Sequence, residues 1–241
     1  MQLENLQGKV AVITGASSGI GEAAARLLVD EGVNVVMSAR RLEKISVLAE
    51  ELGPLASAVQ LDVTDALQVN DLFESVRAKH GGLDLLFNNA GLGIYASFVE
   101  SRSEDWLTQI NTNIVGLLHC THAAIPLMKN RPGAMISSVS SVGGRHGVAG
   151  WSVYSATKFA VIGFHDALRK ELGPDGIRVS VIEPGAVWTE FGHNIDLSER
   201  RQSLDALESV DVAQALVYAF AQPPRVLVQE ILIRPVRQIA P

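Results

Sequence analysis

Tyr154 and Lys158 stand four residues apart in Tyr154-Ser155-Ala156-Thr157-Lys158, and Ser141 lies thirteen residues before the tyrosine. Positions i and i+4 of a helix share a face one turn apart, so the ammonium can sit beside the phenol. A phenol flanked by an ammonium and a serine hydroxyl can hand a proton to a carbonyl oxygen. Tyrosine titrates near ~10 in water, so ionising it readily at neutral pH takes a shift of about three units, roughly 4 kcal/mol, and a nearby cation pushes that way. Taken alone, the pair also suits a tyrosine packed over a lysine stem. The start of the chain decides between the two.

There, Val10-Ala11-Val12-Ile13 runs straight into Thr14-Gly15-Ala16-Ser17-Ser18-Gly19-Ile20-Gly21 and then into a helical stretch, 22–30. This is strand, glycine turn, helix. Glycines let the backbone turn tightly against a pyrophosphate, and a helix N-terminus offers unpaired N–H groups at the positive end of its dipole. The spacing Gly-x-x-x-Gly-x-Gly differs from the general dinucleotide fingerprint Gly-x-Gly-x-x-Gly.

Thr14-Gly15-x-x-x-Gly19-x-Gly21, Asn88-Asn89-Ala90-Gly91, Ser141, Tyr154-x-x-x-Lys158 and Pro184-Gly185 together resemble, in order and spacing, the short-chain dehydrogenase/reductase family. The resemblance runs from about Gly8 to Arg234. The stretch 230–235 is weakly similar to the branch containing bacterial 3-hydroxy-acid and clavulanate-type dehydrogenases. The family implies hydride transfer between a nicotinamide cofactor and a ketone, aldehyde or alcohol. In that scheme Tyr154 is the general acid/base, Ser141 donates a hydrogen bond to the substrate oxygen, and Lys158 lowers the phenol's pKa and bonds the nicotinamide ribose. Ser138 and Ser140 are nearby hydroxyls, but only Ser141 stands at the family's offset with Gly144 following. Asn113 resembles the helix asparagine whose backbone carbonyl holds a water linking Lys158 to solvent; Asn111 is the weaker candidate.

The same resemblance assigns Gly15, Ser17, Ser18, Gly19, Ile20 and Gly21 to the cofactor's phosphates, and Asp62 with Val63 to its adenine. Asn89, Ala90 and Gly91 pass along the adenosine ribose and neighbouring cofactor, while Asn88 braces the sheet. Pro184, Gly185, Val187 and Thr189 hold the nicotinamide amide, and Tyr154 and Lys158 also touch the cofactor. At the end of the second strand an NAD site usually presents a carboxylate for the adenosine 2′-hydroxyl. Here the residues are Ser38-Ala39-Arg40-Arg41. Planar guanidinium forks suit a phosphate, so NADP(H) is expected, with Arg40 ahead of Arg41 as the main contact.

These residues must be held by alternating short aliphatic and longer amphipathic runs, the β-α-β pattern of a parallel sheet covered on both faces. Strands are predicted at 10–14, 33–37, 56–61, 83–88, 134–139, 178–183 and 230–233. No linker or repeat divides the chain, so the expectation is a single-domain α/β Rossmann-type doubly wound sheet spanning 1–241. Ligands of such sheets collect beyond the carboxyl ends of the strands, where Gly15, Arg40, Asp62, Asn89, Ser141 and Gly185 all fall.

Composition narrows the alternatives. With 47% hydrophobic and 19% charged residues the chain is globular rather than disordered. A net charge of −6 and no basic run longer than two residues argue against nucleic acid or an anionic membrane as partner. A single cysteine, Cys120, allows no internal disulfide, and the N-terminus has no basic segment followed by an apolar core, so a cytoplasmic location is expected. His119 and His122 lack further ligands at metal-binding spacing, and no Gly-x-Ser-x-Gly elbow supports a hydrolase. The substrate pocket is expected among 92–95 (Ile94, Tyr95), 143–146 (His146), Trp151 and 188–193 (Trp188), mainly apolar and aromatic, suiting a moderately hydrophobic carbonyl or secondary alcohol. A non-catalytic NADP(H) sensor and an epimerase or dehydratase are the competing readings. The apolar side of the helix around 151–172 is expected to be buried in a homotetramer, with a dimer as the fallback.

Overall fold

The computed structural model describes residues 3–192 and 194–239. Its strands are β1 (Val10–Thr14), β2 (Asn34–Ala39), β3 (Ala56–Gln60), β4 (Leu85–Asn88), β5 (Met135–Val139), β6 (Arg178–Pro184) and β7 (Glu230–Ile233). They form one sheet in the order β3-β2-β1-β4-β5-β6-β7, with every neighbouring pair parallel. This is the doubly wound Rossmann-type α/β sheet expected. Two boundaries move by two residues and four by one. β2 continues to Ala39, pairing Ser38 and Ala39 with Val59 and Gln60, so the strand ends directly before Arg40. β4 starts at Leu85, although Asp84 just before it still bonds both neighbours through its backbone, donating to Val10 O at 2.9 Å and accepting from Met135 N at 2.8 Å; its buried carboxylate accepts from Val10 N at 2.9 Å and pairs with Lys9 and Arg131 at 3.5 Å each.

The helices are α1 (Gly19–Asp30), α2 (Leu42–Leu52), α3 (Ala66–His80), α4 (Ser103–Ile110), α5 (Gly116–Met128), α6 (Ser152–Leu172), α7 (Ser198–Leu204) and α8 (Ser209–Phe220). Side chains alternate across β1: Ala11 and Ile13 pack with residues of α1, α2 and α8, whereas Val10 and Val12 pack with residues of α3, α5 and α6. Both faces are therefore dry, which is why the strands read as unbroken aliphatic runs. α3 shows how local chemistry sets an element's limits. Asp65 caps its start by accepting from the amides of Leu67 and Gln68, and Gly81 ends it in the left-handed region at φ 73°.

α4 and α5 form one helical path joined by a π turn at Asn111–Val115, with Gly116 N reaching back to Asn111 O. A single extra residue in a helix re-aims the side chains on either side of it. In the sheet, the chain proceeds one way from β1 and the other way from β4, although those strands are neighbours. A crevice opens between their carboxyl ends, where ligands of open α/β sheets bind. Among the described residues, no helix is long and apolar enough to cross a membrane.

Candidate active site

A cleft of about 830 Å³ lies along the carboxyl ends of the strands. The proton-handling residues share one wall. Tyr154 and Lys158 project from the first and second turns of α6, with the Lys158 ammonium 5.6 Å from the centre of the Tyr154 ring. Lys158 is buried and donates to Val139 O at 2.8 Å, at the end of β5. Ser141, two residues beyond that strand, opens a short 3-10 turn and accepts from Gly143 N at 3.0 Å. Gly144 has a steric reason to be glycine: a Cβ there would meet Ser140 Oγ at 2.6 Å and Lys158 O at 2.8 Å. Ser140 donates to Lys158 O at 3.0 Å, so its hydroxyl braces α6 rather than facing a substrate.

The electrostatics correct one expectation. Burial pushes the Tyr154 phenol up to about 12, with the Ser141 hydrogen bond pulling the other way, and burial pushes Lys158 down to about 8. Within the protein alone, desolvation dominates, and the Ser141 hydrogen bond, not the expected Lys158 cation, is what lowers the phenol. At neutral pH the phenol is protonated and the lysine charged.

Asn113, on the π turn, is buried and holds Leu92 like a bracket. It accepts from Leu92 N at 2.9 Å and donates to Leu92 O at 2.8 Å, with a third bond to Thr157 Oγ1 at 3.0 Å. The residue thus ties the loop after β4 to the helix bearing Tyr154 and Lys158. Asn111 is exposed.

The glycine turn lines the cleft through Gly15, Ser17, Ser18, Gly19 and Ile20. Gly15 sits at φ 66°, and a Cβ on it would lie 2.8 Å from Ala90 Cα. Gly21 is packed beneath the turn, where a Cβ would meet Gly15 O at 2.6 Å. Asn89 locks the turn by donating to Thr14 O and Gly15 O, each at 3.0 Å. Asn88 braces the sheet as expected, donating to Thr121 Oγ1 and Ser138 Oγ. Ala90 and Gly91 continue along the cleft, and a Cβ on Gly91 would stand 3.6 Å from Lys158 Nζ. α1 begins after Ser18 with no side-chain cap on its first amides. An uncapped helix N-terminus beside serine hydroxyls and guanidiniums is a donor set suited to phosphates, so these residues fit a dinucleotide.

At the far end, the two arginines behave differently. Arg41 donates through Nε and Nη2 to Ser17 Oγ at 3.1 and 2.8 Å, through Nη2 to Ser18 Oγ at 2.9 Å, and through Nη1 to Glu190 at 2.7 Å. Arg40 is exposed at the cleft edge, and its side chain makes no hydrogen bond among the described residues. Arg41, not the Arg40 favoured from sequence, is thus the guanidinium organised onto the glycine turn. Asp62 and Val63 line the cleft after β3; Asp62 accepts from the Thr64 amide and hydroxyl, which shapes the turn into α3. Pro184, the last residue of β6, and Gly185, Val187 and Thr189 beyond it line the cleft, with the methyl of Thr189 3.0 Å from where a Gly19 Cβ would be.

The apolar end of the cleft is an aromatic wall. Trp151 stacks on Phe191 at 5.6 Å between centroids, and both rings contact Tyr154, at 5.7 and 5.1 Å respectively. Leu92, Val148 and Leu197 complete this wall. Four expected pocket residues, Ile94, Tyr95, His146 and Trp188, do not line the cleft. Tyr95 instead packs against the outer side of Trp151 at 5.5 Å, His146 is exposed, and Trp188 lies under Arg201 at 5.9 Å. His193 lies outside the described residues. Leu197, Arg200 and Arg201 at the mouth were missed, because nothing in their local sequence signals that α7 folds back over the site. Among the described residues no cluster of three or more His, Cys, Asp or Glu is placed to hold a metal.

A doubly wound sheet with an uncapped glycine turn at its switch point and a Tyr-Lys-Ser wall opposite defines a nucleotide-dependent enzyme fold. The short chain dehydrogenase family matches residues 9–200, and the chain belongs to that family. An uncharacterised oxidoreductase of Staphylococcus epidermidis is 36% identical over 97% of this chain and 100% of its own length. Among solved structures, the closed form of a serine dehydrogenase with NADP+ matches at TM-score 0.90 and 33% identity, covering 96% of both chains. An alcohol dehydrogenase from the archaeon Thermococcus sibiricus with 5-hydroxy-NADP matches at 0.88 and 29%, covering 97% of this chain and 99% of that one. A 3-ketoacyl-(acyl-carrier-protein) reductase from Brucella melitensis with NADH matches at 0.90 and 30%, covering 97% and 100%. The chain is thus an oxidoreductase of the short-chain dehydrogenase type.

Proposed function

We propose that the protein interconverts a moderately hydrophobic ketone or aldehyde and the corresponding alcohol using NADP(H), with Tyr154 as general acid/base. The observation that carries this reading is the convergence of Tyr154, Lys158 and Ser141 on one wall of the cleft whose other end holds Ser17, Ser18 and Arg41. The bound nicotinamide would supply or accept the hydride. A protonated phenol beside a serine hydroxyl is ready to deliver a proton to an oxygen on which negative charge develops, and Ser141 stabilises that charge by hydrogen bonding. Lys158 contributes a buried positive charge beside the phenol and a donor for a ribose hydroxyl. The Asn113 side chain is engaged by Leu92 and Thr157, and by resemblance to the family its backbone carbonyl would hold a water leading from Lys158 to solvent. The Trp151–Phe191 wall excludes water and favours apolar substituents on the carbonyl carbon.

Turnover of NADPH and NADH over a panel of ketones and aldehydes tests the reaction; binding without any turnover would favour a redox sensor instead. Replacing both Arg40 and Arg41 by Ala is expected to weaken NADPH at least tenfold more than NADH, since a charge-assisted pair contributes about 1.5–3 kcal/mol and only the phosphorylated cofactor loses it. Equal losses for both would remove the 2′-phosphate assignment.

A further inference from the structure

Every donor face of Arg41 is already engaged, and the anion on it belongs to the protein itself. Glu190 accepts from Arg41 Nη1 at 2.7 Å and from Lys44 Nζ at 3.0 Å. It lies after β6, on the opposite side of the switch point from Arg41 and Lys44, which lie after β2. The contact therefore spans the cleft that a dinucleotide must enter, and Glu190 itself lines that cleft. The backbone around it is held in place: Trp188 N donates to Leu207 O at 2.8 Å, and Asn194 exchanges two hydrogen bonds with the backbone of Tyr95, at 3.1 and 2.7 Å.

A carboxylate and a phosphate present the same paired-oxygen face to a guanidinium. We propose that Glu190 acts as an internal competitor for the anion site built by Ser17, Ser18 and Arg41, so that a 2′-phosphate binds by displacing its carboxylate. This rests on the NADP(H) reading above. A phosphate carries more negative charge than the carboxylate and has a third oxygen for the Ser17 hydroxyl, so it can win the exchange. A bare 2′-hydroxyl brings no charge with which to displace Glu190. Glu190 would therefore be a specificity-determining residue that lowers affinity for the phosphorylated cofactor while keeping Arg41 aligned on the serines. Its carboxyl is pulled down to about 2 by the Arg41 and Lys44 hydrogen bonds, so the competitor is ionised at any working pH. Because Glu190 is exposed, the competition is conducted partly through water and its size is modest.

Calorimetric titration of the whole protein with 2′,5′-ADP and with 5′-AMP isolates the phosphate from the chemistry. In Glu190→Gln, affinity for 2′,5′-ADP is expected to rise about fivefold, the scale of one exposed ion pair, while 5′-AMP changes less than about twofold. If the unaltered protein prefers 2′,5′-ADP but Glu190→Gln leaves that affinity unchanged or weaker, the competition is overturned and the NADP(H) reading stands. If 5′-AMP binds less well to Glu190→Gln, the carboxylate accepts from a ribose hydroxyl, which also overturns it. If the unaltered protein binds both fragments equally and Arg41→Ala affects neither preferentially, the NADP(H) reading itself falls and takes the proposal with it.

Discussion

Tyr154 shows how a single phenol is set for its task. With its pKa pushed up to about 12, it is neutral through the whole working range, which suits proton donation to a reduced carbonyl. Tyr154→Phe is expected to lower kcat by at least 10²-fold while NADPH still binds, because only the titratable hydroxyl leaves. Retention of more than about a tenth of kcat would show that another residue carries the proton. Lys158 carries the opposite burden. Its pKa falls from 10.5 to about 8 on burial, so below pH 8 the folded protein carries a charged group it disfavours, a cost of about 3 kcal/mol. Between pH 8 and 10.5 the unfolded chain binds a proton the folded one does not, so this penalty fades as pH rises through that window. Lys158→Met should therefore raise the cofactor-free Tm at pH 7 by several degrees, at about 2–4 °C per kcal/mol, while turnover collapses. A fall in Tm would mean that the bond to Val139 O outweighs the burial.

At the scale of elements, α8 depends on a residue from another part of the chain. Arg178, the first residue of β6, is buried and donates to the carbonyls of Ala219, Phe220 and Gln222 at the end of α8, and to Gly133 O at 2.6 Å before β5. A guanidinium placed there meets both the orphan carbonyls and the negative end of the helix dipole. Arg178→Met is expected to cost about 2 kcal/mol or more, read as a Tm drop of roughly 4–8 °C, because several buried carbonyls lose their donor. Arg178→Lys should recover only part of it, having three donors on a point charge instead of a fork. A neutral outcome for Arg178→Met would show that water replaces the guanidinium. The π turn that aims Asn113 inward was not read from the sequence, because the phase shift of one inserted residue falls between two short helices, α4 and α5, each too brief to fix its apolar phase alone.

For the molecule as a whole, the open question of assembly turns on α6. Leu168, expected at an interface, is buried in its own chain's core, and Ile162 and Phe164 are partly covered there. What remains exposed includes a stripe of Phe159, Gly163 and Ala167 at a spacing of four, and Leu107, Ile110 and Leu118 of α4 and α5 are exposed as well. Small residues flanking one phenylalanine allow a second helix to approach closely, and a two-fold axis there would cover the stripe with its own copy. β7 presents an open edge with Leu232 exposed, a second self-complementary surface. Light scattering is expected to give a tetramer, and Phe159→Asp to yield smaller species; an active monomer at micromolar concentration would mean that solvent covers the stripe in the working enzyme.

The sheet, its seven strands and the positions of Tyr154, Lys158, Ser141 and the glycine turn were legible in the sequence, because aliphatic runs, glycine turns and i, i+4 spacing are local codes that need no partner. Three features were decided only by tertiary structure. Arg41 rather than Arg40 engages the glycine turn, since neighbouring residues at a strand end point different ways and only the folded loop selects one. Phe191 and Leu197 reach the cleft while Ile94, Tyr95, His146 and Trp188 do not, because the fold of the segment after β6 sets which side chains face inward. The raised phenol and depressed lysine likewise follow from burial: adjacency along α6 predicts their attraction, but only the packed protein sets how much water both have lost.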